Sequence, residues 1–181
     1  ALSSGDYKHV VRHLSRAAKL NPTKDIVFYN LGMAQLLSAD YKAAEKSFDT
    51  ADQLNVDGNS EALEGLAQAR REAGDYEGAI SAFSRAFVKV TRKAHLVAGM
   101  AVCEMEQGHM EYAKQLLDEA LVTDANDPVA LFNLAALMQK PHFDEPRRAA
   151  EMYVRFLMRT PKDQHLPERQ KALLRLKEIH A

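Results

Sequence analysis

Apolar and small residues recur along the chain at helical spacing, and this pattern is itself repeated. Tyr7, Tyr41, Tyr76 and Met110 are separated by 34, 35 and 34 residues. After each of them, apolar or small residues follow at steps that place them on one face of a helix. The recurring residues are Val10, Leu14 and Ala17; Ala44, Phe48 and Ala51; Ala79, Phe83 and Ala86; and Ala113, Leu117 and Ala120. A period of this length predicts a helical solenoid.

Each copy of this helix is preceded by a second stretch with helical periodicity. Residues 25–39 carry an apolar stripe of Phe28, Leu31 and Leu36, with one small position at Gly32. The corresponding small positions of the later stretches are Ala67, Ala101 and Ala135. We expect these residues to face the alanines of the following helix, because small side chains let two backbones approach closely.

The segments between the helices have the composition of turns. Gly74 and Gly108 stand where a helix is expected to end, and glycine readily takes the left-handed conformation that closes a helix. Ala39 replaces glycine at the same place in another copy, which should cost stability. Asp40 and Asp75 follow, where a carboxylate can cap the next helix.

Composition narrows the class of protein. The chain has 181 residues, 46% of them apolar, and a formal net charge of −1, so it can bury a core and lacks the cationic surplus expected for nucleic-acid binding. No apolar run reaches the roughly 20 residues needed for direct membrane insertion. The single cysteine, Cys103, excludes an internal disulfide and is expected to be a buried structural thiol. It does not distinguish the cytoplasm from a bacterial periplasm.

Charge is distributed unevenly. Residues 1–39 carry five basic and two acidic side chains, residues 40–78 four and ten, and residues 140–181 ten and six. Solvated helix faces explain this arrangement. The alternative is a surface with an acidic middle and basic ends that orients a partner.

The sequence contains no pattern for catalysis, a cofactor or a metal. A glycine-rich phosphate loop, HExxH, GxSxG and a CxxC pair are all absent. His9 and His13 are one helical turn apart, but without a third ligand they are interpreted as ordinary surface histidines. We therefore predict neither catalytic nor metal-binding residues.

The repeated frame resembles the tetratricopeptide repeat. The copy at residues 60–93 carries Leu63, Leu66, Ala67, Gly74, Asp75, Tyr76, Ala79, Phe83 and Ala86. The resemblance covers nearly the whole chain and implies an all-α fold, a right-handed α-solenoid of stacked antiparallel helix pairs.

The frame divides the chain into six predicted segments. These are the second helix of a truncated repeat (1–24), three repeats (25–59, 60–93 and 94–127), a divergent repeat with a longer turn (128–165) and a capping helix (166–181). The missing first helix of the first segment indicates a fragment of a longer array. In the capping helix, we expect Leu173, Leu176 and Ile179 to face the last repeat and Arg169 to face water.

In tetratricopeptide arrays, the first helices of the pairs line a groove that commonly holds a peptide or helix of another protein. The partner-binding positions that the resemblance implies are Tyr29, Asn30, Met33 and Leu36; Glu61, Glu64, Gln68 and Arg71; Val102 and Met105; and Phe132 and Asn133. We expect affinity from apolar contacts near Tyr29 and Met33. The charges of Glu61, Glu64 and Arg71 should set the register of the bound segment. For Tyr29, Met33, Leu36 and Leu37, packing against the missing preceding helix is an equal alternative.

One class of partner is excluded by the same positions. Family members that hold a C-terminal carboxylate need basic side chains where this chain has Glu61 and Gly65. The carboxylate clamp is therefore absent.

Three functional hypotheses follow from the resemblance. The first is a non-enzymatic protein-interaction scaffold, in bacterial secretion, pilus or envelope assembly. The second is a substrate-selecting accessory domain of a larger enzyme, which asparagine at the sixth position of every repeat would favour, whereas only Asn30 and Asn133 are present. The third is a homo-oligomer formed through the truncated N-terminal edge.

Overall fold

The computed structural model describes residues 4–55, 60–90 and 93–179, without the side chains of residues 4–6 and 166. Over these ranges it contains ten helices and no strand, which confirms the all-α repeat fold. The helices are α1 (Ser4–Leu20), α2 (Asp25–Leu37), α3 (Tyr41–Leu54), α4 (Glu61–Glu72), α5 (Tyr76–Phe87), α6 (Ala94–Glu106), α7 (Met110–Thr123), α8 (Pro128–Met138), α9 (Pro146–Arg159) and α10 (Leu166–Ile179). The predicted segment boundary at residue 59 and the chain ends at 1–3 and 180–181 lie outside the described residues.

The helices form two compact units. Unit 1 is Ala1–Thr91 and contains α1 to α5, and unit 2 is Arg92–Ala181 and contains α6 to α10. In unit 1, α2 packs on α3 and α4 on α5, while α3 also packs on α4. In unit 2, α6 packs on α7 and α8 on α9, with α10 against α9. Each unit is thus built from helical hairpins, as the repeat predicts.

The predicted small residues lie in the core. At the recurring positions, Ala44, Ala51, Ala79, Ala86, Ala113 and Ala120 are all essentially inaccessible, as are Ala67, Ala101 and Ala135 on the preceding helices. Cys103 is also fully buried, as predicted. The apolar face of each second helix therefore meets its neighbours through methyl groups, which keeps the helix backbones close.

One aromatic ring joins three helices of unit 1. Phe48 of α3 is fully buried. A Cβ atom added to Gly32 of α2 would lie 2.8 Å from its ring, and one added to Gly65 of α4 would lie 2.4 Å from it. The ring therefore occupies the space that a side chain at either glycine would need. Burial of a phenylalanine contributes about 1.5–3 kcal/mol, so this contact is a main determinant of how α2, α3 and α4 pack.

The helix-ending positions have the predicted backbone conformation. Gly74 has a φ of 82° and Gly108 a φ of 87°, both left-handed. Ala39 also adopts this conformation, with a φ of 61°. Its side chain makes the conformation unfavourable, because Cβ crowds the neighbouring carbonyl oxygen.

The predicted aspartate caps are also present. The Asp40 carboxylate accepts a hydrogen bond from the Ala43 amide at 3.3 Å, and the Asp75 carboxylate accepts one from the Gly78 amide at 2.9 Å. Each bond satisfies an amide that has no partner within its own helix.

Helix α1 departs from the recurring pattern. Val10 is 38% exposed, although its counterparts in the later copies are buried alanines. Helix α1 packs mainly against α2, whereas α3 lies between α2 and α4. With fewer neighbours, the apolar face of α1 is only partly covered.

The packed face of the capping helix includes Leu176 and Ile179, which are half-buried, but not Leu173. Leu173 is 52% exposed rather than buried against the last repeat, and Ala172 is fully buried instead. Arg169, expected in water, donates hydrogen bonds to the carbonyl oxygens of Leu157 at 2.9 Å and Thr160 at 2.8 Å. These carbonyls end α9, where a cation is favoured by the helix dipole. The hydrogen bonds of Arg169 to the end of α9 therefore fix which face of α10 packs against the last repeat.

We predict that Gly65→Ala destabilises the protein by about 1–2 kcal/mol. Overpacking against Phe48 should cost about 2–3 kcal/mol, the upper part of the usual range, because the added Cβ would overlap the ring. The better helix propensity of alanine returns about 1 kcal/mol. Urea unfolding followed by circular dichroism measures the change. In a Phe48→Leu background the same substitution should cost less, because the smaller side chain leaves room. A Gly65→Ala variant as stable as the wild type would show that the ring does not constrain α4.

We predict that Ala39→Gly raises the free energy of unfolding by about 0.5–1 kcal/mol. Glycine removes the strain of a left-handed alanine, which should stabilise the folded state by roughly 1–2 kcal/mol. It also makes the unfolded chain more flexible, which should cost about 0.4–1 kcal/mol. The matched control is Ala43→Gly in the first turn of α3, which should lower stability. Equal destabilisation by both glycines would contradict this explanation.

Candidate functional site

Tyr29, the first candidate residue, packs against the core of unit 1. Its ring centroid lies 5.9 Å from that of Phe48, with the two planes inclined at 60°. Tilted aromatic pairs at this distance are mutually attractive. One side of Tyr29 is therefore fixed by the buried ring, while the side chain remains partly accessible.

Tyr29 lines a shallow, open cleft between α2, the end of α3 and the start of α4. The lining residues are Asp25, Ile26, Tyr29, Ala51, Asn55, Glu61 and Ala62. Ile26 is 53% exposed. The cleft thus combines an aromatic ring, an exposed aliphatic side chain and carboxylates.

The electrostatics of the cleft are those of an acidic site. Burial raises the pKa of the Tyr29 phenol, and the negative charges of Glu61 and Glu64 raise it further. Glu64 is held in place by Ser60, whose hydroxyl donates to its carboxylate at 2.5 Å. The two glutamates that the sequence analysis selected on α4 therefore lie close to the tyrosine that it selected on α2.

The other predicted residues of unit 1 surround this centre. Asn30 and Gln68 are exposed, and Met33 is half-buried. Arg71 is half-buried, and its guanidinium lies 2.8 Å from the carboxylate of Glu72 on the same helix. The basic charge of Arg71 is thus partly neutralised by its neighbour, so the acidic character of the cleft is retained.

The expectation for Leu36 is corrected. Leu36 is 8% exposed and belongs to the core, whereas the adjacent Leu37 is 56% exposed. Leu36 follows Gly32 by four residues, so both lie on the face of α2 that packs inward. The leucine of this turn that a partner can reach is Leu37.

The predicted residues of unit 2 are all half-buried. Val102 and Met105 lie on α6, and Phe132 and Asn133 on α8. The Phe132 ring packs on Phe156 with a centroid distance of 5.5 Å. The other ring beside Phe132 is that of Tyr153, at 5.8 Å.

Asn133 is engaged within its own helix. Its side-chain amide donates to the carbonyl oxygen of Val129 at 2.8 Å. The predicted hydrogen bond from this amide group to a peptide backbone would therefore compete with an existing one. Of the two predicted sets, the residues of unit 1 form the more complete recognition surface.

Two residues of the cleft were missed by the sequence analysis. Asp25 was available, since it lies one helical turn before the predicted position Tyr29. Asn55 comes from the end of α3, and no local pattern connects it with α2. Only the packing of α3 between α2 and α4 brings it to the site.

Two other features are absent from the described ranges. No helix there is both long enough and apolar enough to cross a membrane. Nor do three or more histidine, cysteine, aspartate or glutamate side chains in those ranges come together as metal ligands.

Comparison with sequence families identifies a match that covers most of the chain. The family described as coatomer epsilon subunit matches residues 2–171. No curated protein matches the sequence.

Several solved structures share the fold. TTC0263, a thermophilic tetratricopeptide protein of Thermus thermophilus, has a TM-score of 0.72 and 23% identity over 95% of this chain and 91% of that chain. Cut9, from the APC/C hetero-tetramer Cut9–Hcn1, has a TM-score of 0.80 and 16% identity over 98% of this chain and 33% of its own. PilF of Pseudomonas aeruginosa has a TM-score of 0.70 and 16% identity over 97% and 80%. The fold is therefore that of tetratricopeptide-repeat proteins.

We predict that replacing both glutamates, Glu61→Gln and Glu64→Gln, lowers the pKa of Tyr29. Removal of the two negative charges makes the phenolate less unfavourable, while burial should keep the pKa above its ordinary value. A pH titration followed by NMR of the tyrosine ring carbons measures the change. The control Glu77→Gln on α5 should leave Tyr29 unaltered. A Tyr29 pKa that does not fall in the double variant would place the glutamates too far from the ring.

Proposed function

The chain belongs to the coatomer epsilon subunit family, and we propose that it is a non-catalytic scaffold that binds a basic segment of another protein on unit 1. The family is named after a subunit of a larger assembly, which supports a role in binding other proteins. Cut9, a protein of the same fold, was solved in a hetero-tetramer. The proposed binding surface is the cleft between α2 and α4.

The observation that carries this proposal is an aromatic side chain flanked by carboxylates. Tyr29 is fixed by Phe48 on one side and lies near Glu61 and Glu64 on the other. A lysine or arginine at this place would meet both negative charge and the electron-rich face of a ring. An apolar neighbour on the same segment would cover Ile26, which is exposed. The cleft thus fits an amphipathic segment with basic residues.

The surrounding residues are proposed to set the register of the bound segment. Asn30 and Gln68 are exposed on α2 and α4, where their amides can hydrogen-bond a peptide backbone. Met33 and Leu37 extend the apolar surface along α2. An interface of this kind has an apolar centre and a polar rim, as is usual for specific protein contacts.

The residues of unit 2 form a second, weaker candidate surface. Val102, Met105 and Phe132 offer partly exposed apolar side chains, but the neighbouring Asn133 amide is already bonded within its own helix. A role in bacterial secretion or envelope assembly, an accessory role in a larger enzyme and self-association all stay predictions.

We predict that Glu61→Lys with Glu64→Lys weakens binding of a basic amphipathic peptide at least about tenfold, or ~1.4 kcal/mol. The probe is a fluorescent peptide of about 15 residues with leucines on one helical face and lysines on the other. Fluorescence anisotropy with the whole chain, at low and at physiological salt, measures affinity. Reversed charges at the cleft should repel the lysines and abolish most of the salt dependence.

The matched control is Glu77→Lys with Glu119→Lys, which changes the net charge equally on α5 and α7. Circular dichroism should show unchanged helix content in both variants. Equal weakening by control and test variants would mean that the peptide senses only net charge. Affinity unchanged by the test variant at low salt would contradict the proposed cleft. Sedimentation at two concentrations separates either result from self-association.

A further inference from the structure

A second charged surface lies on α1. Lys8, Arg12, Arg16 and Lys19 are all exposed. At 100° per residue, their side chains fall within an arc of about 80° and form a stripe along the helix. Ala18, about 120° around α1 from the centre of this arc, is 7% exposed and faces the core of unit 1. The four residues, called the basic stripe below, therefore point away from the packed face.

The basic stripe lacks the neutralising charges that accompany some other basic residues of the chain. Residues 7–20 contain no aspartate or glutamate. Among the described residues, no member of the stripe forms an ion pair, although Arg12 lies 2.8 Å from the ring nitrogen Nδ1 of His9. By contrast, Lys114 of α7 pairs with Asp118, and Arg70 of α4 pairs with Glu45.

The absence of counter-charges has an energetic consequence. Like charges one helical turn apart destabilise a helix by a few tenths of a kcal/mol per pair, and Lys8, Arg12 and Arg16 form two such pairs. An opposing row of carboxylates removes this repulsion and adds attraction. The stripe therefore gains more from an acidic partner than a surface of mixed charge does.

The shape of the stripe indicates the kind of partner. Residues four apart rise about 6 Å along a helix, so the stripe is a row of roughly 16 Å. A partner helix with aspartate or glutamate at every third or fourth position presents carboxylates at the same spacing. A lipid surface would engage cations together with apolar side chains that enter the bilayer. The arc of the stripe contains no apolar side chain among the described residues, which favours a protein.

We infer that the basic stripe is a second docking surface and that its occupant is an acidic helix of a partner protein. The stripe is separate from the cleft, because α2 and α4 form the cleft and the stripe is on α1. A single partner with an acidic helix and a basic segment, or two partners, can then be bound by unit 1. The inference does not depend on what occupies the cleft.

The test uses two fluorescent peptides of about 20 residues, built from alanine and glutamate in equal composition. One places the glutamates on a single helical face, and the other distributes them around the helix. Anisotropy with the whole chain at low salt should show binding of the one-faced peptide at least about tenfold tighter. The triple variant Lys8→Gln, Arg12→Gln, Arg16→Gln should lose this preference, since glutamine keeps helix propensity but removes charge.

The matched control, Lys42→Gln with Lys46→Gln and Lys171→Gln, removes equal charge elsewhere and should bind like the wild type. If the wild type binds both peptides with equal affinity, the inference is wrong, whatever the variants show. Binding that survives the triple variant would overturn it as well. A last experiment tests for lipid binding. The protein is sedimented with vesicles of phosphatidylcholine and phosphatidylserine in roughly a two to one ratio. Stripe-dependent binding to vesicles without peptide binding would assign the surface to lipid instead.

Discussion

The packing of unit 1 depends on one buried ring set against two helix backbones. Phe48 lies where side chains at Gly32 and Gly65 would otherwise be. Because the ring replaces those side chains, α2 and α4 both approach α3 closely. The spacing between α2 and α4 is then determined by the width of an aromatic ring rather than by flexible surface groups. A close-packed core of this kind holds its surface residues in fixed positions.

The candidate site is a direct result of this arrangement. Tyr29 rests on the same ring, so the core that spaces the helices also orients the exposed aromatic side chain. Glu61 and Glu64 come from the helix on the other side of the ring and raise the pKa of the tyrosine. A preorganised surface loses less conformational entropy on binding, which favours affinity. Core packing and the proposed partner-binding surface therefore share a single contact, that of Tyr29 with Phe48.

The sequence predicted the repeated helices well because their periodicity records local contacts. The buried alanines, the left-handed Ala39 and the aspartate caps all follow from spacing and from the chemistry of single residues. The rotation of a helix about its axis was harder to predict. Leu36 and Leu37 are adjacent leucines, and only three-dimensional packing decides which one is buried.

The same limit applies to the ends of α9 and α10. A charged residue in a terminal helix was expected in water, yet Arg169 binds the carbonyl oxygens that end α9. Its hydrogen bonds turn Ala172 inward and leave Leu173 exposed. The cleft was likewise only partly predictable, since Asn55 reaches it from a helix distant in sequence. Local periodicity predicts which segments are helices, while interactions between segments decide which residues remain exposed.

The central claim is that the core of unit 1 prepares the surface between α2 and α4 for a partner. The most direct measurement is an NMR titration of the isotope-labelled whole chain with the basic amphipathic peptide. The account predicts that the largest shift changes occur at Ile26 and Tyr29 and spread to the buried Phe48 ring. Changes confined to the exposed residues of α5, or scattered evenly over the surface, would contradict it.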